Sequence, residues 1–143
     1  MIPYGRQDIS QADIDAVVAV LRSDWLTQGP MVPRFEQAVA AKVRARHAVA
    51  VNSATSALHI ACLALNLGPG DRLWTVPNTF VASANCGRYC GAEVDFVDID
   101  PATWNLSVPR LAERLVQAKK VKRLPKVVVP VHFAGQPTDQ EAI

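Results

Sequence analysis

The sequence is poor in the residues that mark disulfide scaffolds, metal sites and membrane spans. Its three cysteines, Cys62, Cys86 and Cys90, leave one unpaired and have no metal-ligand spacing with a histidine pair, so we expect reduced thiols and a cytoplasmic location. No apolar run approaches the roughly 20 residues of a membrane span, and the N-terminus has no secretory signal pattern. We therefore expect no membrane partner, no metal and no disulfide framework.

The sequence also has little excess of positive over negative charge. The net charge is +2 in 143 residues, which is too balanced to indicate a nucleic-acid partner. Half of the residues are hydrophobic and 20% are charged, so the chain can bury a core and is not a disordered tail. The length fits one domain by the usual prior, and we expect a single α/β domain over residues 1–143.

The first 46 residues predict a helical segment. Ser10 and Asp13 fit a capping box, and apolar residues at helical spacing follow until the helix ends near residues 22–24. Residues 25–33 contain Gly29, Pro30 and Pro33 and predict a loop. A second helix is predicted over residues 34–44.

Residues 47–143 predict an alternation of strands and helices. Short apolar runs indicate strands at 48–51, 72–76, 94–97 and 127–131, and the helices between them are predicted at 55–67, 79–90 and 109–118. Ser107 is predicted to cap the last of these helices. Strands separated by helices predict a parallel sheet with helices on its faces. Residues 138–143 predict the first turn of a further helix, so the pattern indicates the front part of a larger, incomplete α/β domain.

Hydroxyl-bearing residues follow the first predicted strand, where the next helix begins. Ligands of open parallel sheets bind at the carboxyl ends of the strands, and a helix N-terminus offers free N–H groups to a phosphate. Ser53, Thr55 and Ser56 therefore indicate either a phosphate site or an ordinary N-cap cluster. The residues alone leave both interpretations open.

The other strand ends carry further candidates for chemistry. Phe80 either stacks on a planar cofactor ring or is a hydrophobic staple or core residue. Asp98 and Asp100 form either an acid–base pair or a capped turn before a proline. His132 is either a base or a structural histidine whose hydrogen bonds are satisfied.

Five ordered segments together resemble the start of one enzyme family. They cover residues 25–30, 47–59, 76–85, 94–100 and 131–135, and their order and content are similar to the pyridoxal-phosphate-dependent sugar aminotransferases of the DegT/DnrJ/EryC1/StrS family, which have fold type I. The opening Ile2-Pro3-Tyr4 and the run at residues 78–82 most resemble the UDP-4-amino-4,6-dideoxy-N-acetyl-altrosamine transaminase branch of pseudaminic acid synthesis. The resemblance spans nearly the whole chain.

The resemblance implies a set of site residues. The cofactor pyridoxal 5′-phosphate (PLP) would have its phosphate held by Ser53, Ala54, Thr55 and Ser56, chiefly through the amides and hydroxyls of Thr55 and Ser56, and its ring stacked on Phe80. The substrates would be a UDP-sugar and an amino donor, typically glutamate, and the assembly a homo-oligomer. The residues expected to bind the sugar nucleotide are Tyr4, Thr27, Gln28, Gly29, His132 and Phe133.

The resemblance also implies what this sequence lacks. The family's ring-nitrogen aspartate and Schiff-base lysine fall beyond residue 143, and none of the lysines present matches their motif. A transaminase of this kind needs that lysine as covalent anchor and proton shuttle. We therefore assign no catalytic residue and expect this chain not to transaminate by itself.

Two other functions stay open from the sequence. One is a non-catalytic, oligomeric binding module that keeps only the phosphate-binding edge, with the apolar strand at 127–131 covered by a partner. The other is an unrelated nucleotide-binding α/β domain, which explains the alternation of strands and helices but not the ordered motifs.

Overall fold

A computed structural model describes residues 5–143 and shows a parallel α/β fold, which confirms the predicted fold class. The chain divides into two compact units, one up to Ala50 and one from Val51 to Ile143. The single-domain organisation, with a helical segment over 1–46, stays a prediction. The helices are α1 (Gln11–Leu21), α2 (Met31–Lys42), α3 (Ala54–Ala64), α4 (Ala82–Tyr89) and α5 (Val108–Lys120), and the strands are β1 (Arg72–Thr75), β2 (Glu93–Phe96) and β3 (Val127–Val128).

Strand β1 lies in the middle of a three-stranded sheet of order β2-β1-β3. It pairs in parallel with β2 from Arg72↔Glu93 to Thr75↔Phe96, and with β3 at Leu73↔Val127 and Trp74↔Val128. The chain therefore leaves β1 towards one side and later crosses back to the other side. Because all three strands are parallel, the loops that follow them lie at the same edge of the sheet.

The two faces of β1 belong to two different cores. Leu73 packs with Cys62 of α3 and Cys86 of α4, whereas Trp74 packs with Leu111 and Ala118 of α5. Successive strand residues point to opposite faces of a sheet, so one short strand serves both layers. The three cysteines are free thiols, and burial raises the pKa of the Cys62 thiol to about 12.

The first unit contains α1 and α2, and neither helix has a buried residue. The predicted capping box is confirmed, because the Ser10 hydroxyl accepts from the Asp13 N–H and the Asp13 carboxylate accepts from the Ser10 N–H. The predicted start of the second helix is wrong by three residues. Helix α2 begins at Met31 and takes Pro33 into its first turn, where a missing N–H costs no helical hydrogen bond.

None of the helices in residues 5–143 is long and apolar enough to cross a membrane.

The strand predicted at residues 48–51 is absent from the structure. Its Ala50 N–H donates to the Glu36 carboxylate at 2.8 Å and not to a neighbouring strand, and the described residues form no ladder there. An apolar run becomes a strand only when a second strand accepts its hydrogen bonds. The last predicted strand shortens to β3 for a related reason. The Val129 N–H still donates to the Trp74 carbonyl at 2.8 Å, but Pro130 has no N–H with which to continue the ladder of hydrogen bonds.

Helix limits also differ from the predictions. Helix α3 ends at Ala64 because the chain turns there, with Asn66 at φ +53° and the Leu67 N–H returning to the Cys62 carbonyl. Helix α4 begins at Ala82 and not at residue 79, so Phe80 lies in the turn before it. The Ser107 cap of α5 is confirmed by its hydroxyl, which accepts from the Arg110 N–H.

Gly87 allows α4 to approach the sheet closely. A Cβ at this position would lie 2.9 Å from Val94 Cγ2 and 3.1 Å from Leu73 Cβ. We expect Gly87→Ala to lower the free energy of unfolding by about 1–3 kcal/mol, since overpacking outweighs the helix propensity of alanine. Chemical denaturation measures this change. The matched control is Gly68→Ala, where a Cβ meets nothing within 4 Å; equal effects of the two changes would contradict the close approach.

Candidate functional site

The carboxyl ends of the three strands place three loops at one edge of the sheet. The loop at 76–81 follows β1, the loop at 97–107 follows β2 and the loop at 129–137 follows β3. Because the chain reverses direction at β1, its end is the switch point at which open parallel sheets bind ligands. Thr75 ties the central strand to the last loop by donating from its hydroxyl to the Val129 carbonyl at 2.9 Å.

The N-terminus of α3 carries the predicted phosphate residues. The Ser53 hydroxyl caps the helix by accepting from the Ser56 N–H at 3.1 Å, and the Ser56 hydroxyl donates to the Asn52 side chain at 2.8 Å. The N-cap interpretation is therefore correct for Ser53. The Ser53 cap leaves the N–H groups of Ala54 and Thr55 unengaged; these groups lie in the first turn and have no acceptor within the helix.

This donor set is chemically suited to a phosphate. Helix α3 presents two first-turn N–H groups and the hydroxyl of half-buried Thr55, at the positive end of an 11-residue helix. Such an end attracts anions through its aligned peptide dipoles. The N–H of Ser56 is already engaged by Ser53, so Ala54 and Thr55 are the freer donors.

Phe80 is not a core residue, because 74% of it is exposed. Its turn is held in place by its neighbours: the Thr79 and Ser83 hydroxyls lie 2.8 Å apart, and the Asn78 amide donates to the Trp104 carbonyl at 2.8 Å. The ring therefore presents an apolar face to the outside of a fixed turn. Stacking on a cofactor ring stays a prediction.

His132 and the two aspartates have structural partners. The N–H of Thr138 donates to His132 Nδ1 at 3.0 Å, which places the imidazole proton on Nε2. Asp98 accepts from the N–H of Ile99, and Asp100 accepts from the N–H of Ala102 at 2.8 Å. The capped-turn interpretation of the aspartates is therefore the one the structure supports.

Asn105 organises this edge, although no sequence pattern pointed to it. It is 4% exposed, its amide donates to the Gln136 and Pro137 carbonyls at 3.0 Å each, and its carbonyl oxygen accepts from the Phe133 N–H at 3.0 Å. It thereby joins the loop after β2 to the loop after β3. No periodicity marks such a residue; the only signal is an asparagine two positions before a helix N-cap.

The remaining predicted residues divide between the two units. Thr27, Gln28 and Gly29 lie in the first unit, in an exposed loop where Gln28 has φ +51°. The second unit holds Ser53, Ala54, Thr55, Ser56, Phe80, His132 and Phe133. Tyr4 lies outside the residues that the structure describes.

Comparison with known proteins gives a consistent assignment. A model of the DegT/DnrJ/EryC1/StrS aminotransferase family matches residues 7–143. The spore coat polysaccharide biosynthesis protein SpsC of Bacillus subtilis (strain 168) is 43% identical over 142 residues, which cover 99% of this chain and 35% of that protein. The chain thus spans about a third of the length of this curated relative.

Solved structures agree with the sequence comparison. The PLP form of Spr1654 from Streptococcus pneumoniae superposes with a TM-score of 0.84 at 31% identity, over 99% of this chain and 34% of that one. The sugar aminotransferase CalS13 from Micromonospora echinospora gives a TM-score of 0.79 at 32% identity, over 99% of this chain and 37% of that one. Both likenesses cover both units of the chain.

Removing the Asn105 side chain tests its organising role. We expect Asn105→Ala to lower the free energy of unfolding by about 2–4 kcal/mol, since three hydrogen bonds are lost and buried groups are left unpaired. Hydrogen exchange at the Phe133 amide should accelerate at the same time. Asn85→Ala removes the same atoms from a half-buried position of α4 and should leave that amide unchanged; unaltered exchange at Phe133 in Asn105→Ala would refute the role.

Proposed function

This chain belongs to the DegT/DnrJ/EryC1/StrS aminotransferase family, and we propose that it carries the cofactor-phosphate side of an aminotransferase that acts on UDP-4-keto-6-deoxy-sugars. The observation that carries this proposal is the N-terminus of α3, where free first-turn N–H groups and the Thr55 hydroxyl lie together. The altrosamine transaminase branch is the finer part of the proposal and rests on the resemblance of residues 2–4 and 78–82.

The cofactor of the proposal is PLP. When bound, it would supply an electron-withdrawing ring and, attached to that ring, the reactive carbonyl through which an amino group passes from donor to sugar. Ala54 and Thr55 donate to its phosphate, and Ser53 and Ser56 hold the turn in which those donors lie. Phe80 offers its exposed ring face to the pyridine ring, because aromatic rings stack favourably at an offset.

The substrates of the proposal are a UDP-sugar and an amino donor of the glutamate type. In this account the first unit contributes Thr27, Gln28 and Gly29 to sugar-nucleotide binding, and the second unit contributes His132 and Phe133 from the loop after β3. Tyr4, also expected to contribute, lies outside the described residues. Gly29 supports a constrained loop, since a Cβ there would lie 2.7 Å from Trp25 Cβ.

We propose no transaminase activity for residues 1–143 taken alone, because none of their lysines matches the motif of the family's Schiff-base lysine. The chain associates with further copies of itself in the cytoplasm. Apolar side chains support the association: Val17, Leu21, Phe35 and Val43 of the first unit are each about 60% exposed or more. A purely non-catalytic oligomeric module is the second candidate, which the same exposed residues favour.

Hydroxyl deletions test the phosphate site. We expect Thr55→Ala and Ser56→Ala to weaken binding of PLP by about 1–3 kcal/mol, because charge-assisted hydrogen bonds are lost or their donors displaced. Titration of both PLP and pyridoxal, which lacks the phosphate, isolates the phosphate contribution. The control is Ser10→Ala, which deletes the hydroxyl cap of α1 and should leave PLP affinity unchanged.

Two outcomes would contradict the proposal. Equal PLP affinity in all three variants and the parent chain would reduce Ser53, Thr55 and Ser56 to helix caps. Borohydride treatment of the PLP-loaded chain, followed by intact mass, should show no covalent adduct; an adduct on one defined lysine would show that a residue of this chain replaces the missing anchor.

A further inference from the structure

Trp104 and Phe133 form an exposed aromatic pair at the carboxyl edge of the sheet. Their ring centroids lie 6.2 Å apart with 22° between the planes, and the residues are 55% and 38% exposed. They line an open cavity of about 630 Å³ whose walls are residues 102–104 and 133–136. Two stacked rings that keep faces in contact with water offer a platform for a third planar group.

The backbone of this cavity adopts unfavourable conformations. Trp104 has φ +62°, Ala134 has φ +51° and Gly135 has φ +85°. Three of the lining residues therefore have a left-handed backbone conformation, and two of these three are not glycine. Such residues persist only where the surroundings enforce them, and they cluster at functional sites.

Hydrogen bonds fix both walls of the cavity. The Trp104 N–H donates to the Asp100 carbonyl at 2.7 Å, and the Trp104 carbonyl accepts from Asn78 at 2.8 Å. Asn105, the next residue, holds the opposite wall at Phe133 and Gln136. The spacing of the two walls is therefore set before any ligand arrives, which reduces the ordering cost of binding.

Two of the lining residues have polar side chains: Thr103, a hydroxyl, and Gln136, a carboxamide. The backbone of Gln136 is held on both sides, because its N–H donates to the Phe133 carbonyl at 2.9 Å and its carbonyl accepts from Asn105. A carboxamide presents a donor and an acceptor side by side. No side chain of residues 102–104 or 133–136 is charged, so the cavity favours a neutral ring with an amide-like edge over a phosphate.

We propose that this cavity binds the pyrimidine base of the sugar nucleotide, with Trp104 and Phe133 stacking on the ring and Gln136 pairing with its N–H and carbonyl edge. This inference rests on the proposed function, which supplies a uridine nucleotide. It adds Trp104 and Gln136 as residues that determine specificity. The Asn78–Trp104 hydrogen bond connects this cavity to the turn that carries Phe80.

Binding of uridine, a probe without phosphate, tests the inference by calorimetry on the full chain. Trp104→Leu should weaken uridine binding by about tenfold, within the range known for base–aromatic stacking. Trp104→Phe keeps a ring at the same strained backbone position and should bind within about threefold of the parent chain. Gln136→Leu should remove the preference for uridine over 3-methyluridine, whose N–H is blocked.

Each result decides the inference. No saturable uridine binding, or equal binding by Trp104→Leu and Trp104→Phe with native circular dichroism, would overturn it. A Trp104→Leu chain that loses self-association would overturn it too, because the rings would then be covered by a second copy. PLP titration of the same samples separates the two proposals: PLP binding without uridine binding leaves the proposed function intact, and uridine binding without PLP binding contradicts the proposed function alone.

Discussion

Burial of β1 on both of its faces is the constraint on which the rest of the structure depends. Leu73 and Thr75 are each 0% exposed and Trp74 is 3% exposed, so the strand has no solvent face. It must therefore be covered by α3 and α4 on one side and by α5 on the other. Parallel sheets typically have both faces covered by helices, and β1 takes the central place in the observed order β2-β1-β3.

The same constraint positions the candidate site. The parallel pairing of β1 with both neighbours brings the loops after β1, β2 and β3 to a common edge, and the strand order reverses at β1, where open parallel sheets bind ligands. Buried or half-buried polar side chains then connect those loops: Thr75 bonds to the loop after β3, Asn78 to the loop after β2, and Asn105 to residues 133–137. The hydrophobic core thus decides where the site lies, and a few side-chain hydrogen bonds decide its shape.

Elements that depend on local pattern were predictable from the sequence, and those that depend on distant partners were not. The caps at Ser10 and Ser107 and the strands β1 and β2 follow from short-range chemistry and apolar runs. The run at 48–51 has the same appearance but finds no strand to pair with among the described residues. Asn105 was missed because its hydrogen-bond partners lie about 30 positions away in the sequence. Phe80 is exposed because α4 begins at Ala82, so that Phe80 lies in the turn before the helix.

The central claim is that the N-terminus of α3 and the Phe80 turn form one cofactor-binding edge. The most direct test is an amide NMR titration with pyridoxamine 5′-phosphate, which has no aldehyde to react with lysines. Our account predicts that the amides of Ala54, Thr55 and Phe80 shift together with one saturable affinity, because phosphate and ring contact them in the same complex. Shifts confined to the lysines and arginines of residues 119–126, with those three amides unmoved, would contradict it.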